Sequence, residues 1–449
     1  MEKVKWNKEL IFKIIFIIFV FMFCFIWSMI QPYDSAPDEY MKYDVCKYIA
    51  NNGSLPLGGD ESIRNPIWGI SYAFQPIFSY IISAIFMKIV MVITKLTVDD
   101  FAVFVAARFV SVLSCTGTVI FIMKIAKKLF EDKKYQWMFI VFTSLLPQYV
   151  FIGSYLNNDS FAIFTISIII YSWIIGLENK WDTKSCISLA LGIGFCALSY
   201  YNAYVYILCS IIMFISSFIN IKEKKFNYKD MLKKGILITI IVFAICGWFF
   251  IRNAVLYNGD FLGLRTESEY AEKYAMDQYK PSNSVAPIAV GNSLKCMLID
   301  MKWLSMTFKS FVATFGYMSI LGPWYLYRFF EIVIVLAVIG CIIDFKEIFW
   351  NKDKSKRKLH YFFIVAMILS VILSVGYSYM SDFQPQGRYI MGIIVPFTYF
   401  LVNGIKAILD KIVKNKKIKN IFVGIIIALI VVISFKALFS YIIPTYRVK

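Results

Sequence analysis

Apolar runs of about 20 residues recur along the whole chain, and a helix of that length crosses about 30 Å of hydrocarbon. The first run, from Leu10 to Ile30, is almost unbroken Ile, Phe, Val and Met. The chain is 59% hydrophobic and only 17% charged. These features predict an all-α, polytopic membrane protein and exclude a water-soluble fold.

The net charge of +18 does not indicate nucleic-acid binding, because the basic residues cluster between apolar runs as the positive-inside rule predicts for cytoplasmic loops. The segment from Tyr33 to Arg64 has six acids and three bases and is expected outside. We predict a multi-pass plasma-membrane protein with a cytoplasmic N-terminus, an uncleaved signal-anchor as its first span, and a short outer C-terminal tail. The basic segments are the N-terminal tail with Lys3, Lys5 and Lys8, then Lys124–Lys134, Lys222–Lys234, Lys346–Lys358 and Lys406–Lys419.

One apolar stretch, Trp68 to Thr94, does not fit this topology as a span, because the Lys124–Lys134 loop and every later loop would then invert. Gln75-Pro76 interrupts its first part. We interpret the stretch as an interfacial or re-entrant segment on the outer face. Eleven spans are then predicted, at approximately 10–30, 102–123, 136–153, 160–177, 185–200, 203–221, 236–256, 323–345, 360–380, 389–409 and 420–441.

The predicted topology places the main polar motifs on one side of the membrane. We treat residues 1–449 as a single membrane domain, with a first outer loop at 31–101 and a second large outer segment at 257–322. The motifs on the outer face are Asp38-Glu39, Gln75-Pro76, Asn157-Asn158-Asp159 and Gln386-Gly387-Arg388. Convergence of these motifs predicts a functional site at the outer end of the helices.

The acidic pair Asp38-Glu39 directly follows Pro37 and the first span. Carboxylates at a membrane surface are uncommon and often functional. The pair can act as a general base for a hydroxyl or help to hold a divalent cation. It can equally be a helix N-cap with acids in the first turn, and both readings can hold together.

Asp159 is a candidate second carboxylate for the same site. It ends the polar triplet Asn157-Asn158-Asp159 in a very short loop between two predicted spans. The alternative is that Asp159 or Ser160 caps the following helix.

Three arginines also lie at positions that are unusual for a positive charge. Arg388 begins a span from the outer face, where basic residues are disfavoured, and is the best phosphate-binding candidate. Arg252 ends a span on the same face. For both, the alternative is an anchor to lipid headgroups. Arg108 lies inside a span about two turns from its outer end, where either a structural salt bridge or a substrate contact is expected.

Several kinds of chemistry are not expected. His360 is the only histidine and lies in a Lys-rich loop, which excludes His-based catalysis and a His-ligated metal. The nine cysteines include no CxxC or zinc spacing. Walker A, GxGxxG and GxSxG patterns do not occur in a suitable context, so no nucleotide cofactor is expected.

The motifs occur in a recognisable order. Pro37-Asp38-Glu39 follows the first span, and the segment Phe74 to Tyr80 (FQPIFSY) is similar to the His-Pro-Pro-Leu-Tyr-Tyr segment of membrane glycosyltransferases. The further elements in order are Arg108–Ser111, Asn157–Asp159, Trp248–Asn253, Tyr257–Gly263, Ser310–Gly316 and Gln386–Tyr389. From about residue 10 to 400, this set resembles the GT-C superfamily of polyprenyl-phosphate-dependent glycosyltransferases. It is most similar to a bacterial family within it labelled as a domain of unknown function.

The resemblance implies a GT-C-like fold with juxtamembrane helices in the first outer loop. It also implies that Asp38 is the base or a metal-associated carboxylate, with Glu39 beside it and Asp159 as the second acid. Arg388 and Arg252 would hold the donor phosphate, and Gln75, Asn158 and Arg108 would contact substrate. A divalent cation, Mg²⁺ or Mn²⁺ on Asp38 and Asp159, is a candidate cofactor.

Two positions depart from the pattern of the resembled family. Related sequences often carry a His shortly after Pro-Asp-Glu, where Lys42 and Tyr43 stand here, and Gln75 replaces the His before the first Pro. A requirement for either His would make this chain altered or inactive, whereas a carboxylate base needs neither.

The resulting hypothesis is an inverting glycosyl transfer on the outer face, from a polyprenyl-phosphate-linked sugar to a cell-surface glycan or polymer. The alternatives are a transporter or flippase of lipid-linked glycans, a polysaccharide ligase or polymerase, and a non-catalytic partner of such enzymes. A transporter would place charged or broken helices near the bilayer midplane. The sequence identifies neither the sugar nor the acceptor.

Overall fold

The computed structural model describes residues 8–220 and 225–447, which fold almost entirely into helices. Two short hairpins pair β1 (Ile219–Asn220) with β2 (Lys225–Phe226) and β3 (Thr314–Phe315) with β4 (Ile320–Leu321). The α-helices are α1 Lys8–Ile30, α2 Glu39–Asn52, α3 Phe78–Thr94, α4 Phe101–Leu129, α5 Lys133–Ser144, α6 Pro147–Ile152, α7 Asp159–Glu178, α8 Thr183–Ala197, α9 Tyr204–Ser217, α10 Tyr228–Leu256, α11 Leu264–Tyr274, α12 Trp303–Ala313, α13 Trp324–Ile343, α14 Phe345–Phe349, α15 Lys354–Met380, α16 Ile394–Ile412, α17 Lys416–Lys436 and α18 Ile443–Arg447.

Short 3₁₀ and π segments connect several of these helices. Two of them extend a membrane helix: Gly387–Ile393 runs into α16, and Ala437–Ile442 continues α17 into α18. The other segments are Tyr72–Phe74, Tyr201–Ala203, Asp277–Tyr279, Pro281–Asn283 and Cys296–Asp300.

Within the described ranges, eight helices are long and apolar enough to cross a membrane. They correspond to eight of the predicted spans, and the predicted count of eleven is not confirmed. The stretch predicted as 136–153 is divided into α5 and α6, because Pro147 begins a new helix at a position where it needs no amide hydrogen. The stretches predicted as 185–200 and 203–221 correspond to the shorter helices Thr183–Ala197 and Tyr201–Ser217.

Helix α3 contains most of the apolar stretch predicted to be interfacial or re-entrant. The Ser79 hydroxyl donates to Asn158 Oδ1 at 2.6 Å, in the loop before α7. At the other end of α3, the following loop accepts a hydrogen bond from Tyr43 of α2 on Val98 O, at 2.6 Å. The first turn of α3 therefore lies beside the beginning of α7, and the loop after α3 lies beside α2. With 17 residues, α3 is not among the eight helices long enough to cross a membrane.

The basic segments meet at the opposite end of the bundle from Asp38. Lys133 pairs with Glu9 at 2.6 Å, and Lys128 pairs with Glu178 at 2.5 Å. Further contacts place the remaining basic segments at the same end: Lys134 with Asn420, Lys234 with Lys180 O, Lys358 with Ser216 O and Lys419 with Asp410. The basic segments thus lie at one end of the bundle and Asp38 at the other, and the assignment of these ends to the two sides of the membrane stays a prediction. Lys3, Lys5, Lys222 and Lys224 lie outside the described residues.

Helix α7 lies at the centre of the bundle, and 78% of its most apolar stretch of 18 residues is buried. It packs against α4, α8, α9 and α15. The Trp173 ring of α7 stacks on Tyr206 of α9 and donates to the Ser210 hydroxyl at 2.9 Å. Because α7 begins at Asp159, this packing fixes that carboxylate at one end of the bundle.

Candidate functional site

Asp38 occupies the N-cap position of α2 but does not cap the helix. Its side chain makes no capping hydrogen bond, and its backbone has φ of 59°, in the left-handed region. That conformation is uncommon for a residue other than glycine and often marks a functional position. The predicted alternative, an ordinary helix cap, therefore does not describe this side chain.

The Asp38 carboxylate pairs instead with Arg388. Arg388 Nη2 lies 2.9 Å from Asp38 Oδ2, and Nη1 lies 4.0 Å from Asp159 Oδ2. Arg388 and Asp159 are buried, at 8% and 7% exposure. The structure thus brings together the three charged residues that sequence reasoning ranked highest, from three distant parts of the chain.

Gly387 allows Arg388 to reach this position. Its amide donates to the Ser310 hydroxyl at 2.9 Å. A Cβ atom at residue 387 would lie 2.1 Å from Phe311 N. Only glycine permits this close approach to the backbone of α12.

Lys42 is a fourth charged residue of the site and was not predicted from the sequence. It follows Asp38 by one helical turn, is 3% exposed, and has Nζ 3.8 Å from Asp38 Oδ2. The helical i, i+4 spacing from Asp38 was the signal that could have identified it. Burial alone would raise the pKa of Asp38, but Lys42 and Arg388 together lower it to about 2. Burial lowers the pKa of Lys42 to about 8, against the opposing effect of Asp38.

Asn157 and Asn158 support the beginning of α7. Asn157 Oδ1 accepts from Ser160 N at 2.8 Å, so Asn157 provides the cap that was considered for Asp159 or Ser160. Asn158 Oδ1 accepts from Ser79, while its buried Nδ2 has no hydrogen-bond partner among the described residues. The Asp159 carboxylate is consequently left to face Arg388.

Glu39 and Arg108 form a separate, fully buried ion pair. Arg108 Nε and Nη2 lie 2.8 and 2.7 Å from the two Glu39 oxygens. Glu39 Oε1 also accepts from Leu156 N at 2.8 Å. The remaining Arg108 hydrogen bonds are to Ser28 O, Gln31 O and Pro32 O. Two alternatives were predicted for Arg108, a structural salt bridge and a substrate contact. This geometry matches the structural salt bridge.

Gln75 lies in the loop that connects α2 to α3, and Arg252 contacts the same loop. Arg252 Nη2 donates to Pro56 O at 2.7 Å, and its buried Nη1 has no partner within the described chain. Gln75 approaches Glu267 of α11, a half-buried residue that sequence reasoning missed. Burial raises the pKa of Glu267 to about 7, although a hydrogen bond from Gln75 opposes the shift. Glu267 lies among other charged residues of α11, so the sequence gave no signal that would single it out.

A narrow cleft extends from the charged cluster into the bundle. Asp159, Arg388, Tyr200 and Tyr389 line its polar part. The deeper walls are mostly small or apolar residues of α7, the α16 entrance and neighbouring helices: Ala162, Ile163, Ile166, Ala203, Ser370 and Gly392. The cleft has a volume of about 20 Å³, which is room for about one water molecule, so it does not enclose a lipid chain.

The residues present do not fit the divalent cation considered above. Two carboxylates, Asp38 and Asp159, face the site, and Arg388 and Lys42 already compensate their charges. Among residues 8–220 and 225–447, no group of three His, Cys, Asp or Glu side chains has the proximity needed to hold a metal. A hard cation such as Mg²⁺ or Mn²⁺ requires more free oxygen ligands than this set offers.

The sequence profile of DUF2142, described as a predicted membrane protein, matches residues 65–398, about three quarters of the chain. The chain belongs to the DUF2142 family. No curated protein matches the sequence. This DUF2142 chain is similar in fold to the Archaeoglobus fulgidus oligosaccharyltransferase. The apo crystal structure of that enzyme gives a TM-score of 0.56 at 10% identity, covering 99% of this chain and 56% of that one.

Two further structures of the same archaeal enzyme match this DUF2142 chain. The complex with an inhibitory peptide and a dolichol-phosphate gives a TM-score of 0.55 at 12% identity, covering 97% of this chain and 56% of that one. The complex with Zn and sulfate gives 0.51 at 13%, covering 96% and 52%. The chain thus spans just over half the length of the oligosaccharyltransferase. These matches confirm the GT-C fold implied by the sequence resemblance.

Proposed function

We propose that this protein transfers a sugar from a polyprenyl-phosphate carrier to a hydroxyl group of a cell-surface glycan or polymer. The observation that carries the proposal is the buried cluster of Asp38, Asp159 and Arg388 at the mouth of a cleft in a GT-C fold. The basic segments lie at the other end of the bundle, which supports a site on the outer face of the membrane.

Arg388 is the proposed ligand of the donor phosphate. A guanidinium group binds phosphate oxygens through two parallel hydrogen bonds, and burial strengthens them. Arg388 Nε is buried without a hydrogen-bond partner within the described residues, so donor capacity remains for a ligand. The archaeal neighbour is named as binding a dolichol-phosphate, which is a lipid of this chemical class.

Asp38 is the proposed general base. Without donor, its low pKa makes it a weak base, because Lys42 and Arg388 stabilise the carboxylate. When the donor phosphate takes up these cations, Asp38 loses part of that stabilisation and becomes more basic. It then accepts the proton of the acceptor hydroxyl as the oxygen attacks the anomeric carbon. The bond to the phosphate oxygen breaks with inversion, and Arg388 stabilises the departing phosphate.

The other site residues have supporting roles in this proposal. Asp159 orients Arg388 through Nη1, whereas Asp38 contacts Nη2. Glu39 positions Asp38 through the ion pair with Arg108 and does not itself accept the proton. Gln75 and Asn158, each with a buried polar atom lacking a partner in the described structure, are the proposed acceptor contacts. Arg252 holds the loop before α3 through Pro56 O rather than the phosphate.

One observation weighs against the transporter alternative. Arg108 was the charged residue inside a span that best fitted a transport pathway, and Glu39 neutralises it completely. The ligase and polymerase alternatives use the same lipid-linked donor and differ only in the acceptor. They therefore share the roles proposed here for Asp38 and Arg388.

The proposal is tested by mass spectrometry of surface glycans from cells with and without the protein. We expect the deletion to remove one sugar modification, and the wild-type gene to restore it. A gene encoding Asp38→Asn should not restore it, whereas Asp44→Asn should, because Asp44 is a part-exposed acid on the same helix that pairs with Lys47. Equal restoration by both variants would contradict the proposal.

A further inference from the structure

Lys42 is a buried ammonium group beside the two aspartates of the site. Its Nζ donates to Pro37 O at 3.1 Å and lies 5.0 Å from the centroid of the Tyr72 ring. Lysine is almost never fully buried unless its charge has a partner or a function. Asp38, at 3.8 Å, is close enough to attract it but too distant for a hydrogen bond.

The hydrogen-bonding capacity of Lys42 is only partly used. An ammonium group has three donors, and the described residues accept one hydrogen bond from Lys42, through Pro37 O. Lys42 Nζ lies 3.8 Å from Asp38 Oδ2, so the group faces the site. A ligand oxygen in the site would therefore find donors from both Lys42 and Arg388.

The balance of charge distinguishes this arrangement from a metal centre. Asp38 and Asp159 supply two negative charges, and Lys42 and Arg388 supply two positive charges. A divalent cation added to this set would be repelled by both side-chain cations and would find no uncompensated carboxylate. An anionic phosphate would instead attract the ammonium and guanidinium groups away from the two aspartates.

We propose that Lys42 takes the place of a divalent cation in this protein, and that Lys42 and Arg388 together bind the donor phosphate without metal. This inference rests on the proposed function, because it concerns the phosphate of the same lipid donor. It assigns a binding role to a buried lysine for which the sequence predicted none.

The test measures binding of undecaprenyl phosphate and of Mn²⁺ to the full-length protein in lipid nanodiscs. We expect the wild type to bind undecaprenyl phosphate with the same Kd in EDTA and in Mn²⁺, and to bind no Mn²⁺ at the site by electron paramagnetic resonance. Lys42→Gln should weaken undecaprenyl phosphate binding at least tenfold. Lys42→Arg, which keeps the charge, should retain more of the affinity than Lys42→Gln.

Lys47→Gln is the matched control, because Lys47 lies on the same helix, is part-exposed and pairs with Asp44 at 2.8 Å. It should leave the Kd unchanged. Thermal melting of each variant separates a loss of binding from a loss of folding. A wild-type Kd that depends on Mn²⁺, or a folded Lys42→Gln variant with normal affinity, would overturn the inference. Absence of undecaprenyl phosphate binding under all conditions would instead contradict the proposed function.

Discussion

Arg388 Nη2 lies 2.9 Å from Asp38 Oδ2, although the two residues are 350 positions apart in the chain. The pair joins the loop after the first helix to the beginning of α16. Asp159 approaches the same guanidinium from α7. This contact, rather than any single motif, defines the centre of the site.

Arg388→Ala is expected to weaken binding of undecaprenyl phosphate by tenfold or more, because a charge-assisted hydrogen bond contributes about 1.5–3 kcal/mol. Arg388→Lys should bind undecaprenyl phosphate little better than Arg388→Ala, since an ammonium group cannot form the paired hydrogen bonds of a guanidinium. Arg252→Ala is the comparison, because Arg252 bonds to Pro56 O in the loop before α3. A larger loss for Arg252→Ala than for Arg388→Ala, measured by the Kd, would reverse the proposed roles.

Glu39→Gln is expected to destabilise the fold by about 3–5 kcal/mol, because it leaves the buried Arg108 charge without its counter-ion. Thermal melting in detergent should show a clear fall in Tm. The part-exposed pair of Lys47 and Asp44 provides the control, and Lys47→Gln should cost less than about 1 kcal/mol. Equal Tm values for Glu39→Gln and the wild type would show that the ion pair does not hold these helices together.

Gly387→Ala is expected to displace Arg388 and reduce sugar transfer, because the added Cβ would overlap the α12 backbone at Phe311. Overpacking of this kind costs about 1–3 kcal/mol. Gly424→Ala, at a position with open space around it, should affect neither Tm nor transfer. Normal transfer by Gly387→Ala would show that the close approach is not required.

The stability of the protein is expected to depend on the ionisation of Glu267. Burial raises its pKa from 4.5 to about 7. Between these values the folded state keeps a proton that the unfolded state has lost, so stability falls as the pH rises through this window. Glu267→Gln removes this pH-dependent contribution to the stability. The Tm of the variant relative to wild type should therefore increase from pH 5 to pH 8, and a constant difference would contradict the assignment.

The sequence was sufficient to predict the helical membrane class, the GT-C fold and the separation of the basic segments from the polar motifs. Apolar run length and charge carry the first and last of these locally, whereas the GT-C fold was implied by the resemblance of the ordered motifs. Lengths of individual spans were less predictable, since Pro147 divides one predicted span and α8 is only 15 residues long. The length of such a helix depends on how neighbouring helices pack around it, and local sequence patterns do not show this packing.

Side-chain partners in the site were predictable only in part. Asp38, Asp159 and Arg388 stood out because charged residues are costly at those positions. The partner of Glu39 could not be deduced, because its pairing with Arg108 depends on the packing of α1, α2 and α4. Lys42 and Glu267 were missed for a related reason, since each resembles a solvated charge until the tertiary structure buries it.

The central claim, that Asp38 is the base of a glycosyl transfer, is tested most directly with purified protein in nanodiscs. The measurement is the release of undecaprenyl phosphate from its glycosylated form in the presence of a surface-glycan acceptor. We predict that Asp38→Asn abolishes release while retaining the wild-type fold, and that Asp44→Asn releases it at the wild-type rate. Near-normal release by Asp38→Asn would contradict the account.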